Sequence, residues 1–312
     1  MTDFSHPNIH LVLGSGGARG LAHIGVIHYL QAQGFSITQI TGCSMGALIG
    51  GIYAAGKLEE YETWVRQIRR LDVLRFLDLS LDSRKGFVKG DKIMEQLRQW
   101  VGHQAIEQLP IPFSAVSTDI LAQKEVWISQ GDLVDAIRAS ISVPGIFTPL
   151  VTQGRVLVDG GILNPLPVPP ASIEARQITV AVSLSGRAVQ HPLGDAAASD
   201  IDSALADDQN SPITRFVQGL QQWFAAETPE PNSQPNPLSL SDIMIGMFNT
   251  MQDTLTRYQL AGNPPDILIE IPVNICQSHE FHLANRLIPA GAYWAEKAMT
   301  EQLAFVTHAN GN

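Results

Sequence analysis

The chain has 312 residues, 45% of them hydrophobic and only 16% charged. That composition excludes a wholly disordered chain, and the size fits one large α/β domain or one domain with a long insertion. Twenty Lys and Arg against thirty Asp and Glu give a net charge of −10, which argues against the basic face that nucleic-acid binding requires.

The opening residues, MTDFSHPNIH, lack a basic stretch followed by an apolar one. No secretory signal is expected, and the cytoplasm is the expected compartment. Ile9 to Leu13 is a short apolar run, as in a strand buried on both faces. The turn Gly14-Ser-Gly-Gly-Ala-Arg-Gly20 follows it. Leu21, Ile24, Ile27 and Leu30 then recur every three residues along a predicted helix that Gly34 ends. Ile37 to Thr41 reads as a second strand, Gly42 to Gly46 as a turn, and Ala47 to Ala55 as an apolar helix. Strand, glycine turn and helix, repeated, predict a parallel sheet with helices on its faces. No Lys, Arg, Asp or Glu occurs between Arg19 and Lys57, but Gln31, Gln33, Gly34, Ser36, Thr38 and Gln39 interrupt the stretch. No membrane span is expected there.

Residues 57–98 hold ten of the twenty basic residues, with eight acids among them. They read as an amphipathic helix pair covering the sheet. The alternative is a patch facing a membrane surface or anionic lipid. Strands are predicted over Pro112 to Thr118, Glu125 to Ile128 and Arg155 to Val158, with a helix over Asp132 to Ser140. Ile178 to Leu184 is a further buried strand. Residues 187–240 then carry six prolines and seven acids against two arginines. We read an acidic, Pro-rich insertion there, a lid, an interaction surface or a tolerated excursion, with a short helix over Ile213 to Ala226. Helices over Ser241 to Ala261, His279 to Asn285 and Ala290 to Phe305, and a strand over Asp266 to Ile271, complete the chain. The two cysteines, Cys43 and Cys276, are too few for a disulfide framework or a Cys-rich zinc site.

Gly42-Cys43-Ser44-Met45-Gly46 fits G-x-S-x-G between a predicted strand and a predicted helix, the context that motif requires. Gly42 and Gly46 let the chain turn sharply and present Ser44 at a helix N-terminus, where developing negative charge is favoured. The earlier glycine turn has Arg19 at the sixth position of a dinucleotide fingerprint, and the second strand lacks the acid that would hold a ribose. No Gly-Lys-Ser/Thr follows, so it is not a P-loop either. Its amides, with Gly16, Gly17 and Ala18 as candidate donors, would form an oxyanion hole beside Ser44. A serine nucleophile needs a base. His279, His282 and His308 have no special context and read as surface or packing residues. Asp159 ends an apolar strand before Gly160 and Gly161, where sites form in parallel sheets, and is the stronger candidate.

These pieces, in this order, resemble the patatin-like phospholipase family in its bacterial NTE-family branch. The resemblance rests on Leu11 to Gly25, Ile40 to Gly50, and Val158-Asp-Gly-Gly161 with Asn164-Pro165. It extends to Arg138 to Pro144 and Ala261 to Ile269, and is weakest over 187–240. It implies a three-layer α/β/α fold with a mainly parallel sheet, a Ser44–Asp159 dyad without a catalytic histidine, and oxyanion amides within Gly16 to Arg19. It implies hydrolysis of phospholipid or lysophospholipid acyl esters with no metal or organic cofactor. Ser15 stands where the family has the first of three glycines. Transient contact with the inner membrane surface is expected, and Leu48, Ile49, Ile146 and Phe147 are expected to line an acyl site. A regulatory, partner-binding protein on the same fold is the alternative, as is a thioesterase or general carboxylesterase using the same residues.

Overall fold

A computed structural model describes residues 7–69, 72, 90–144, 146–169, 177–193 and 240–309. The first half-turns of the chain follow the expected rhythm: β1 (Asn8–Leu13), α1 (Ala22–Ala32), β2 (Ser36–Cys43) and α2 (Met45–Ala54). A 3-10 turn over Gly17–Leu21 joins β1 to α1. Next come α3 (Leu58–Val65), α4 (Asp91–Val101), β3 (Phe113–Asp119), β4 (Lys124–Ile128), α5 (Leu133–Ser140), β5 (Leu150–Thr152) and β6 (Arg155–Asp159). β7 (Ile178–Gly186), α6 (Leu240–Gly262), β8 (Ile267–Pro272) and α7 (Ala284–Ala309) complete the described elements.

Five strands run parallel, bonded in the order β3-β2-β1-β7-β8. β1 sits between β2 and β7, so the strand order reverses at β1, and the turn after it lies where α/β sheets place their sites. β4, β6 and β5 add antiparallel pairings beyond this set. The sheet is therefore mixed but mostly parallel, with helices flanking it, as expected.

One register fact positions the site. β4 takes residues 115–119 of β3 along one edge. β2 pairs with 113–116 and β6 with 117–119, so both must share the opposite edge. They run towards each other along it. Cys43, at the end of β2, lies opposite Val116, and Asp159, at the end of β6, lies opposite Ser117. Two carboxyl ends thus meet head-on at consecutive positions of β3.

Side chains alternate across the sheet as the strand period requires. Ile9, Leu11 and Leu13 of β1, with Val180 and Val182 of β7, enter the large core beneath α1, α2 and α7. Val12 and Ala181 face the other way and meet Leu166, with Leu260 of α6 packed against them. α1 and α7 approach so closely that a Cβ on Gly25 would run into the carbonyl of Ile288, and one on Gly291 into that of Ala22.

Several expectations are modified. β5 was not expected: three residues are too few to show a period, and its hairpin to β6 turns on Gln153 and Gly154, both at positive φ. The two C-terminal helical stretches are bridged. α7 runs unbroken through Pro289, one turn from its start, where a missing N–H removes a single helical bond. In the 57–98 region, Tyr61 and Trp64 of α3 pack against Trp100 of α4. Arg66 pairs with Glu62, and Arg98 with Asp132 and Asp135. Arg66 is thus held at the end of α3, and Arg98 ties α4 to the start of α5. Most of residues 70–89 lies outside the described residues. So do 194–239, with the expected helix over Ile213 to Ala226. The described residues that precede it are anchored: Asn274 exchanges two hydrogen bonds with the backbone of Val189, and the Trp294 indole donates to the Pro192 carbonyl. Among the described residues no helix is long and apolar enough to cross a membrane.

Gly25→Val forces a side chain into the α1–α7 contact. It is expected to cost about 3 kcal/mol, at the upper end for overpacked sites, read as a lower urea midpoint with an unchanged slope.

Candidate active site

Ser44 stands alone between β2 and α2 with φ 54 and ψ −121. An L-residue at positive φ is unfavourable, and surrounding contacts must hold it there. Three do so. The Ser44 amide donates to Ser140 Oγ (2.9 Å), whose hydroxyl donates to the Val116 carbonyl (2.5 Å). The Leu48 amide closes the first helical turn onto the Ser44 carbonyl (3.0 Å). Gly46 lies so close to the Leu13 and Gly14 carbonyls that any Cβ would collide with them. A Cβ on Gly42 would likewise meet the Gly46 carbonyl and the Ala47 amide. Leu48 and Ile49 are buried in the core on α2, whereas Phe147 packs on Gly90 and the Arg138 guanidinium.

Asp159 ends β6 and opens a 3-10 turn over Gly160–Ile162. It is completely buried. Its amide donates to the Ser142 carbonyl (2.9 Å), and the Ser117 hydroxyl donates to the neighbouring Val158 carbonyl (2.7 Å). Oδ1 accepts from the Gly161 amide at 2.7 Å. A Cβ on Gly160 would run into the Val116 carbonyl and meet Cys43 Sγ, so the turn sits directly against the end of β2.

Burial raises the Asp159 pKa to about 7, and the Ser44 hydroxyl and Gly161 amide, as donors, offset part of that rise. The Ser44 hydroxyl thus acts on the carboxyl. Oδ2, however, has no partner at full hydrogen-bond geometry. The Cys43 thiol next door is pushed well up by burial, and then by Asp159 and Glu125, so it stays protonated.

The glycine loop lies against this elbow, with Gly20 packed on Met45 Cβ. Its carbonyls are tied down: His23 meets that of Gly14 (2.9 Å), and Arg19 Nε donates to that of Gly16 (3.1 Å). Among the four residues expected to supply oxyanion donors, Ala18 needs correction. Its amide donates to the Ser278 carbonyl (2.9 Å) and is already engaged. Arg19 lies inside the 3-10 turn and acts on the loop through its side chain. The amides of Gly16 and Gly17 have no acceptor among the described residues. Gly17 holds φ 59 with Ser278 pressed on its Cα, which leaves no place for a side chain.

Two histidines are buried packing residues. His10 bonds Thr41 and His23 bonds Gly14, and burial lowers both to about 4. The groups that set the Asp159 pKa include no histidine. Among the described residues, no cluster of three His, Cys, Asp or Glu could hold a metal ion.

The sequence does not mark three residues that build this site, Ser117, Ser140 and Gln252, and marks Ser15 only as a departure from the family's glycines. Gln252 sits on α6, is buried, and donates through Nε2 to Ser15 Oγ (2.9 Å). Ser140 lies within the Arg138 to Pro144 stretch that carried part of the resemblance. Nothing local marks Gln252.

A family model described as "Patatin-like phospholipase" matches residues 11–172. Proteins of Mycobacterium tuberculosis and Mycobacterium bovis, both named as uncharacterized NTE family proteins, are 39% identical over 95% of this chain and 92% of their own. The neuropathy target esterase sws of Drosophila melanogaster is 30% identical over 70% of this chain, which covers 14% of that protein. Among solved structures, VipD from Legionella pneumophila matches with a TM-score of 0.50 and 14% identity, over 96% of this chain and 67% of that one. At that identity the likeness is one of fold.

Asp159 stays neutral more readily in the folded chain than in the unfolded one, where its ordinary value is 3.8. The stability this contributes is complete below that value and is lost as the pH rises through about 7. Asp159→Asn cannot ionise. It is expected to raise the melting midpoint at pH 8 by ~2–5 °C, a gain that shrinks towards pH 4 in calorimetric scans.

Proposed function

The chain belongs to the patatin-like phospholipase family, and on that footing we propose that it hydrolyses lipid acyl esters through a Ser44–Asp159 dyad. The observation that carries this reading is the pairing at the strand ends. A wholly buried carboxyl, its pKa raised by burial to about 7, ends β6 opposite Ser117, one position along β3 from the end of β2 that leads into a serine held at positive φ. A base poised near neutrality suits general catalysis at physiological pH.

In the proposed mechanism, Asp159 Oδ2 takes the proton from Ser44 Oγ as the oxygen attacks the ester carbonyl. Oδ1, fixed by the Gly161 amide, keeps the carboxylate oriented. Negative charge builds on the former carbonyl oxygen. The amides of Gly16 and Gly17 are the proposed donors to it, and losing one such donor typically costs ~10²–10³ in rate. Collapse of the tetrahedral intermediate expels the alcohol, which receives the proton from Asp159. Water then attacks the acyl-enzyme and gives its proton to Asp159, and the second tetrahedral intermediate collapses to free the fatty acid as Asp159 returns that proton to Ser44 Oγ. The dyad's own residues supply every proton transfer.

The family supports a lipid substrate. The NTE-family relatives and the neuropathy target esterase, a protein named as an esterase, support an ester as the bond cleaved.

A tagged fluorophosphonate should label the wild type at Ser44, located by peptide mapping. Ser44→Ala should remove the label while circular dichroism stays native. Asp159→Asn should slow labelling and ester hydrolysis by roughly 10³–10⁴-fold. Full esterase activity in Ser44→Ala would sink the assignment. With Asp159 as base, kcat/KM should fall about tenfold per pH unit below a midpoint near 7, because only the ionised carboxylate can accept the proton.

A further inference from the structure

We infer that Gln252 is a positioning residue that holds the two halves of the site, the glycine loop and the Asp159 turn, at a fixed separation. The inference rests on the Ser–Asp reading above and deepens it.

Gln252 touches both halves. Its Nε2 donates to Ser15 Oγ at 2.9 Å. The same nitrogen packs so tightly on Gly161 that a Cβ there would overlap it, and that position also lies 3.0 Å from Asp159 Oδ1. Gln252 is 4% exposed and Ser15 6% exposed, so water does not compete for the contact. Ser15 has a second tie: its amide donates to the Pro165 carbonyl (2.8 Å), in the segment that follows the Asp159 turn. Both the side chain and the backbone of Ser15 therefore report on where residues 160–165 sit.

Gln252 can act as a spacer because its helix is fixed. Further along the same face of α6, Thr256 is buried and Gln259 Nε2 donates to Asn164 Oδ1 (2.7 Å), and just past the helix end Asn263 Nδ2 donates to the carbonyls of Val168 and Pro169 (3.0 and 2.8 Å). Residues 252, 256, 259 and 263 follow the i, i+4, i+7, i+11 spacing of one helical face. This face clamps α6 to the segment carrying the base turn, and Gln252, nearest the chemistry, reaches across to the loop. The serine in place of a first glycine gives that reach a hydroxyl to bind. Other titratable groups at this junction are Cys43 against Gly160, Glu125 bonded to Asn164, and Asp253 in the field of Arg19. None of them spans loop and turn.

The test uses the full chain, with kcat and KM on p-nitrophenyl butyrate and the rate of fluorophosphonate labelling. Gln252→Ala is expected to lower kcat and the labelling rate by roughly 10- to 100-fold with KM nearly unchanged, since it misplaces the groups without removing them. In a cycle with Ser15→Ala, the double variant should lose little more than the worse single one. Gln252→Glu keeps the length of the side chain and places a second carboxylate beside Asp159. It should move the acidic limb of the pH profile upward by about one unit, which reads directly whether this side chain lies against the Asp159 carboxyl. If the alanine variant does not fold, Gln252→Glu carries the test alone. A folded Gln252→Ala with wild-type kcat and labelling rate, additive losses in the cycle, or an unmoved acidic limb would each overturn the inference. A wild type that never labels would overturn the dyad reading as well.

Discussion

β3 is a template on which two strands converge. β2 arrives parallel to it and β6 antiparallel, along the same edge, and they stop at adjacent residues, opposite Val116 and Ser117. Backbone hydrogen bonding sets this register, and a slip of one residue would turn every side chain of the slipped strand to the other face. The separation of Ser44 from Asp159 is thereby fixed by sheet pairing and not by flexible loops. Parallel strands alone would place both residues on the same rim, each at the end of its own strand. The antiparallel entry of β6 brings the carboxylate to the serine from the front.

The convergence exposes backbone groups that neither ladder satisfies, and a short set of serines takes them up. Ser140 accepts the Ser44 amide and donates to Val116, Ser117 donates to Val158, and the Ser142 carbonyl accepts the Asp159 amide. Small hydroxyls fit a junction too crowded for anything larger. The same crowding keeps water from Asp159. Desolvation then raises its pKa until the carboxyl sits near neutrality, with the Ser44 hydroxyl and the Gly161 amide preventing a larger rise. One packing arrangement thus accounts for both the strained serine and the shifted acid.

α6 supplies the other half of the support. It approaches from the smaller core, where Leu260 meets Val12, Leu166 and Ala181, and turns a row of amide side chains toward residues 160–169. Amide side chains can bond backbone carbonyls without bringing charge next to a buried carboxylate, whose ionisation a nearby acid would oppose and a nearby base would promote. The electrically neutral clamp leaves the Asp159 pKa to burial, Ser44 and Gly161.

Much of this was legible from the residues. The short apolar runs fixed the parallel strands, since a strand buried on both faces needs them. Glycines at 42 and 46 marked the elbow because close backbone approach excludes a side chain. Asp159 before two glycines marked a carboxylate at a strand end. These signals are local, and local sequence suffices for them. Three things needed the tertiary structure. The Ala18 amide is occupied by Ser278, some 260 residues later in the chain. β5, three residues long, has no period and exists because β6 offers it an edge. Gln252, far from every motif, meets Ser15 only after α6 has docked. A sequence by itself states which residues can turn, bury or ionise. Which of them meet, and which amides remain free, depends on long-range packing, because hydrogen-bond partners and desolvation belong to the folded arrangement and not to any stretch of the chain.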